Sequence, residues 1–261
     1  MLVSARDVRR IILEQSMRAG VGHIGSALSI ADIVAVLYSD VLRIPSPGAP
    51  DRDRFVLSKG HAALAVYAAL HLRGWISEQI LDTYCSDGTL LGVHPERDLS
   101  GVDFSTGSLG QGISIAGGAA LAARLQGSNR RIYSLISDAE CNEGSVWEAA
   151  MFAAHHQLSN MIVIVDNNKQ QALGYTRDVL DLSPMEDRWA AFGWDAATVD
   201  GHDAAALRGA LLKSSDSRPR VVVANTVFGR GVSFMENRIA WHYEPLSEQQ
   251  FSAACRELEH A

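Results

Sequence analysis

Apolar residues recur along this chain with two periods, and their alternation predicts its architecture. Val8, Ile11, Ile12 and Met17 fall at mixed spacings of three and four, which predicts an amphipathic helix over 4–19 stopped by Gly20-Val21-Gly22. Ser29 is placed to cap a helix running to Tyr38, and Pro45 to Asp51 reads as a turn-rich connection. His61 to Leu72, ended by Gly74, and Gly110 to Leu125, dense in glycine and alanine, predict two buried helices. Two continuous apolar runs, Arg131 to Ser137 and Met161 to Val165, flank a segment with helical spacing from Ser145 to Gln157. That unit is strand, loop, helix, strand. Further on, Pro184 to Phe192 predicts a helix, Trp194 to Val199 a strand, Ala204 to Ser214 a helix and Arg220 to Asn225 a strand. Ser247 to Glu259 predicts a polar helix after Pro245. Strands alternating with helices imply an α/β fold whose mostly parallel sheet carries helices on both faces. No boundary divides residues 1–261, so a single domain is expected.

Composition narrows the possibilities. A chain of 261 residues with 47% hydrophobic and 20% charged residues has the make-up of an ordinary globular α/β domain. A net charge of −7 and the lack of a basic stripe argue against general nucleic-acid binding. Cys85, Cys141 and Cys255 show no CxxC spacing, which suggests reduced thiols and a cytoplasmic setting. The start reads as no signal peptide, no apolar run approaches the length of a membrane span, and no internal repeat is evident.

Chemistry concentrates at the ends of the two apolar runs. Asp138 closes the first, and Asn168 follows the second about thirty residues later. In an open parallel sheet, ligands gather outside the carboxyl ends of the strands. Neighbouring strand ends would put one carboxylate and one amide oxygen at the same rim. Such hard oxygen donors suit a magnesium ion that keeps most of its coordination for phosphate oxygens and water. No GxGxxG opens a helix after a strand with an acid suitably downstream, so a dinucleotide-binding protein ranks low.

These residues resemble the transketolase branch of the thiamin diphosphate enzymes. The family pattern is Gly-Asp-Gly followed by an Asn in a run like Asp-Asn-Asn; here it reads Ser137-Asp138-Ala139 and Asp166-Asn167-Asn168. Further similar segments follow in family order: Gly22-His23-Ile24-Gly25, Asp53 to His61, Gly92 to Glu96, Ser105 to Gly112, and Gly229 to Asn237 leading to Trp241-His242. The resemblance spans about residues 4–245 and implies a thiamin diphosphate-binding fold. It covers only the diphosphate-binding half of a fused transketolase. The chain is therefore similar to the N-terminal subunit of a split enzyme, with a separate C-terminal, pyrimidine-binding subunit expected as partner in an α2β2 assembly.

The resemblance also implies roles. Asp138, Asn168 and the backbone carbonyl of Gln170 would hold Mg2+. Gly107, Ser108 and Leu109 would border thiamin diphosphate, with His61, Asp138, Ala139, Glu143, Asn168 and His242 completing its surroundings. His23, His61, His94 and His242 would line the channel above the reacting ring, binding hydroxyls and moving protons, work that suits a group titrating near neutrality. His71, His155, His156, His202 and His260 match no family position and are expected to be surface or packing residues. Glu143 would face a partner subunit and join a carboxylate relay; its plain alternative is an acid in a first helical turn. Gly110 and Gly112 are expected to serve helix packing. Ala139 departs from the family glycine and would cost about 1–2 kcal/mol if a left-handed backbone were required there. Tyr243 stands where many relatives have glycine. The expected activity is transfer of a two-carbon ketol unit from a ketose to an aldose. The alternatives are a decarboxylating ligase or acyloin synthase using a 2-oxo acid, and a non-catalytic scaffold degenerated at Ala139.

Overall fold

The computed structural model describes residues 3–213 and 217–259; Ser214 and His260 lie outside them. In chain order the elements are α1 (Ala5–Ala19), α2 (Ile24–Ser29), α3 (Ala31–Val36), β1 (Arg54–Leu57), α4 (Ala63–Leu72), α5 (Glu78–Leu81), α6 (Gly112–Leu125), β2 (Ile132–Ser137), α7 (Gly144–His155) and β3 (Met161–Asn167). They continue with β4 (Gln170–Gln171), β5 (Gly174–Tyr175), α8 (Thr176–Val179), α9 (Met185–Ala191), β6 (Asp195–Asp200), α10 (Ala204–Leu212), β7 (Arg220–Asn225) and α11 (Glu248–Glu259).

Five strands form one sheet in the order β1-β2-β3-β7-β6, and every pairing in it is parallel. β4 and β5 make a small antiparallel hairpin beyond the end of β3. Side chains alternate across the pleat. Tyr133, Leu135, Ile162 and Ile164 therefore enter the core shared with α1 to α4, while Ile132, Ile136, Val163 and Val165 enter the core beneath α6, α7 and α9. A strand buried on both faces needs no polar alternation, which is why β2 and β3 read as unbroken apolar runs. Each such side chain contributes about 1.5–3 kcal/mol through burial. This rigid middle fixes the strand ends.

Local chemistry sets several boundaries. The Ser4 side chain accepts the Asp7 N–H and starts α1; Gly20 ends it at φ 64°, a left-handed turn that glycine adopts without a Cβ clash. The expected helices at 110–125 and 61–72 begin later, at Gly112 and at Ala63, the latter after a 3-10 turn over Gly60–Ala62. The single helix expected from Ser29 to Tyr38 is instead two short helices meeting at Ile30, followed by a π turn over Leu37–Val41. Ser29 caps nothing: its hydroxyl donates to the Asp166 carboxylate at 2.7 Å. A buried acceptor across the fold outcompeted the local cap. β1 was not foreseen, because four residues running straight into Ser58-Lys59 carry too little pattern. It matters, because it delivers both side chains to the same rim as Asp138.

Candidate functional site

Ser137 pairs with Asp166 in the β2–β3 register, so Asp138 and Asn168 emerge from adjacent strands. Asp138 is 3% exposed; its carboxylate accepts the N–H groups of Ala139 and Lys169, each at 2.8 Å. Asn168 is equally buried, and its Oδ1 accepts the Gln170 N–H at 2.9 Å. Its Nδ2 donates to Asp166 at 2.9 Å, which fixes the direction of the amide. Lys169, between them, holds φ 67°, a conformation uncommon outside glycine. The backbone thus bends sharply to bring Asp138 and the Asn168–Gln170 segment together. Burial, and then the nearby Asp166 carboxylate, push the Asp138 carboxyl up to about 7. Gln170 is 5% exposed, and neither atom of its side-chain amide has a hydrogen-bond partner. Buried polar groups are ordinarily paired. An orphaned amide beside a carboxylate short of positive charge fits a site that an external ion and ligand complete.

Sequence reading missed the network underneath. Lys59 and Asp166 form an ion pair at 2.5 Å, with side chains 1% and 0% exposed. The Asp166 carboxylate also takes the hydroxyls of Ser29 and Thr226 and the Asn168 amide. Glu140, wholly buried, accepts the Gly110 N–H at 2.8 Å, the Ser137 N–H at 3.2 Å and the Ser58 hydroxyl. Burial first of all raises its carboxyl above the usual range. The available signal was a charge inside an otherwise apolar stretch, Leu57-Ser58-Lys59, and an acid in the turn after a buried strand.

Three of the four expected histidines form a triangle. Ring centroids lie 5.5 Å apart for His23–His61, 5.3 Å for His23–His242 and 5.5 Å for His61–His242. His61 Nε2 is 3.1 Å from the Ser26 hydroxyl, and the His23 N–H donates to the His242 carbonyl at 3.3 Å. His23 occupies a left-handed φ of 63°, and its Nδ1 is buried without a partner. Such strain persists only where the surroundings impose it. Burial lowers His23 and His61, the latter well below its ordinary value, and brings His242 down to about 4. His61 and His242 are therefore neutral at pH 7. His94 is exposed, yet its ring sits beside Gly60 and Gly107, at 3.1 and 3.4 Å from where a Cβ would be. His202 is a packing residue, held between Asp32 at 2.6 Å and the Val227 N–H at 2.9 Å.

The glycine loop borders this group. A Cβ on Gly112 would fall 2.7 Å from the Ser58 Cα, so α6 can approach β1 only with glycine there. Gly110, at φ 81°, would meet the Ser145 hydroxyl at 2.4 Å. At Gly107 a methyl would make ordinary contact with the His94 ring. Ser108 is exposed and Leu109 half-buried, both in the turn before α6. Ala139 opens a 3-10 turn and is not among the residues of positive φ, so the cost foreseen for a left-handed alanine does not arise. Glu143 is exposed at the N-terminus of α7; of the two glutamates in this turn the buried one is Glu140. The Tyr243 hydroxyl donates to the Ala172 carbonyl at 2.8 Å, joining the segment after His242 to the β4–β5 hairpin.

Comparison with known proteins accounts for this arrangement. The family model described as transketolase, thiamine diphosphate binding domain, matches residues 3–260. A 6-deoxy-6-sulfo-D-fructose transketolase subunit from Clostridium sp. (strain MSTE9) is 43% identical over 260 residues, 98% of this chain and 94% of the relative. An apulose-4-phosphate transketolase subunit from Phocaeicola vulgatus is 36% identical over 254 residues, 96% of this chain and 90% of the relative. The crystal structure of transketolase from Campylobacter jejuni superposes with a TM-score of 0.91 at 30% identity, covering 98% of this chain but 42% of that one. The chain thus spans nearly all of the separately encoded subunits and about two-fifths of the longer transketolase. It belongs to the transketolase family, as a transferase subunit built from the thiamin diphosphate-binding domain.

Proposed function

We propose that this chain is the diphosphate-binding subunit of a two-component cytoplasmic transketolase, moving a two-carbon ketol unit from a ketose to an aldose with thiamin diphosphate and Mg2+. Asp138, Asn168 and the Gln170 carbonyl hold the ion, whose charge answers a rim where Asp138, Glu140 and Asp166 share one buried lysine, Lys59, among the described residues. Gly107 to Leu109, with His61, Ala139 and His242, surround the coenzyme. Thiamin diphosphate, when bound, supplies the carbon nucleophile and the electron sink that C–C cleavage needs. The protein's part is to bind, orient and move protons. His23 Nδ1, buried and unpartnered, is the atom poised to take a hydroxyl proton and return it. His61 is steadied by Ser26, and burial keeps both His61 and His242 unprotonated, so each offers a neutral ring nitrogen to a substrate hydroxyl. His94, at the exposed margin, meets substrate hydroxyls as they enter.

The observation that carries this reading is the triangle of imidazoles, tied through Ser26, Lys59 and Asp166 to Asn168 at the rim. Glu143, on the exposed side of α7, faces the companion chain and contributes to a carboxylate relay between sites. The relatives' names set the donor panel: ketoses with and without a phosphate or sulfonate group. Mixed with its companion, the chain transfers ketol units only when both magnesium and coenzyme are present. Transfer by this chain alone contradicts the two-component reading, and turnover of 2-oxo acids but not ketoses replaces it with a decarboxylating ligase.

A further inference from the structure

Glu140 joins three segments that meet at the rim. One carboxylate oxygen takes the Gly110 N–H and the Ser58 hydroxyl, and the other takes the Ser137 N–H. Its own N–H returns to the Ser137 hydroxyl at 3.0 Å. The glycine loop is pinned elsewhere as well. The Thr106 hydroxyl donates to the Leu57 carbonyl at 2.6 Å, and the Ser145 hydroxyl donates to the Gly110 carbonyl at 3.0 Å. Gly110 is therefore held at both its N–H and its C=O, and Gly107 to Leu109 span the interval between two anchors. A buried carboxylate is a costly way to fill space, and removing its partners or itself leaves unpaired groups behind. What it does better than a neutral side chain is fix several N–H and O–H donors at once through short, charge-assisted bonds.

We propose that Glu140 is a positioning residue for the cofactor: it locks the Gly107–Gly112 loop against the ends of β1 and β2, so that the loop meets the diphosphate in one conformation. The Gly110 N–H is consumed by Glu140 and does not serve the ligand; donors from this loop come from Gly107 to Leu109. This inference rests on the cofactor reading above and deepens it. It also separates two acids of the same turn, Glu140 working inward on the loop and Glu143 outward.

The test uses the reconstituted pair, with calorimetric titration of thiamin diphosphate in magnesium. Glu140→Gln puts an amide donor against a backbone donor. Its dissociation constant for the coenzyme rises about tenfold or more, the worth of one or two charged hydrogen bonds. Adding saturating coenzyme restores most of the lost ketol transfer, which places the defect in coenzyme affinity. Ser145→Ala releases only the carbonyl side of Gly110 and weakens binding several-fold, with Glu140 intact. Asp195→Asn, which breaks the Arg220 pair at the far edge of the sheet, lowers the melting temperature and leaves coenzyme affinity unchanged. Wild-type affinity in both E140Q and S145A, with only thermal stability altered, overturns the proposal while sparing the cofactor reading. Failure of the wild-type pair to bind in magnesium overturns both.

Discussion

Where the strands begin, acids meet arginines: buried Asp53 pairs with Arg43 and Asp103 with buried Arg52, each at 2.7 Å, and Asp195 with buried Arg220. Where these strands finish, Asp138, Glu140 and Asp166 lie buried around Lys59, and among the described residues the Gln170 side-chain amide has no hydrogen-bond partner. One end is closed within the chain; in the proposed function the other is balanced by an ion and ligand from outside. Arginine suits the first task, with a planar fork that meets a carboxylate in two places. Around Asp138 and Asp166 the cation is a lysine instead, a single point charge that leaves the other acids of the rim without a fork of their own.

The largest effect comes from removing the unbalanced charge. Asp138→Asn abolishes magnesium-dependent coenzyme binding by the reconstituted pair, weakening it by roughly a thousandfold, about 4 kcal/mol. In the metal-free chain the sign reverses. Because the Asp138 carboxyl is raised from 3.8 to about 7, the unfolded chain gives up this proton first; stability is lost as pH rises from about 4 to about 7 and the cost is complete above that, so D138N unfolds at a higher temperature at pH 8. A gain of about 1 kcal/mol corresponds to roughly 2–4 °C in a chain of this size. Titration calorimetry and a melting curve read the two halves of this prediction.

The closed end responds oppositely. Asp103→Asn leaves Arg52 buried with its partner neutralised and takes a bond from the Phe55 N–H. Stability falls by about 3 kcal/mol, while coenzyme affinity in the folded fraction is unchanged. Equal loss of affinity and stability in D103N would erase the distinction between the two ends.

His242 gives a smaller, graded test. His242→Asn lowers kcat/KM for ketol transfer roughly a hundredfold, as expected for one general acid–base group. Its titration also marks stability. Since the folded value is lowered to about 4, the unfolded chain takes the proton first as pH drops below its ordinary value of 6.5. That contribution is complete above about pH 6.5 and is lost as pH falls toward 4. Melting temperatures between pH 7.5 and 4.5 therefore fall less steeply in H242N than in wild type.

Much of this was legible in the chain. The alternation of apolar runs and helical spacing yielded the parallel sheet, and the placement of Asp138 and Asn168 beyond adjacent strands was legible because a strand end is a place that local pattern can mark. The histidine triangle was reachable only through resemblance, since no spacing brings residues 23, 61 and 242 together. Lys59, Glu140 and Asp166 were missed for a different reason. Their meaning lies in partners as much as 137 residues away, and an isolated charge at a strand end looks like a solvated one. Ser29 shows the converse: local rules favoured a cap, and a buried carboxylate across the fold took the hydroxyl instead.

The most direct measurement is an electron-density map of the reconstituted pair crystallised with magnesium and thiamin diphosphate. The account requires an octahedral ion with oxygens at about 2.0–2.1 Å, supplied by the Asp138 carboxylate, the Asn168 amide and the Gln170 carbonyl and completed by diphosphate and water. An ion or diphosphate seated elsewhere, with Asp138 and Asn168 still turned into the protein, would contradict it.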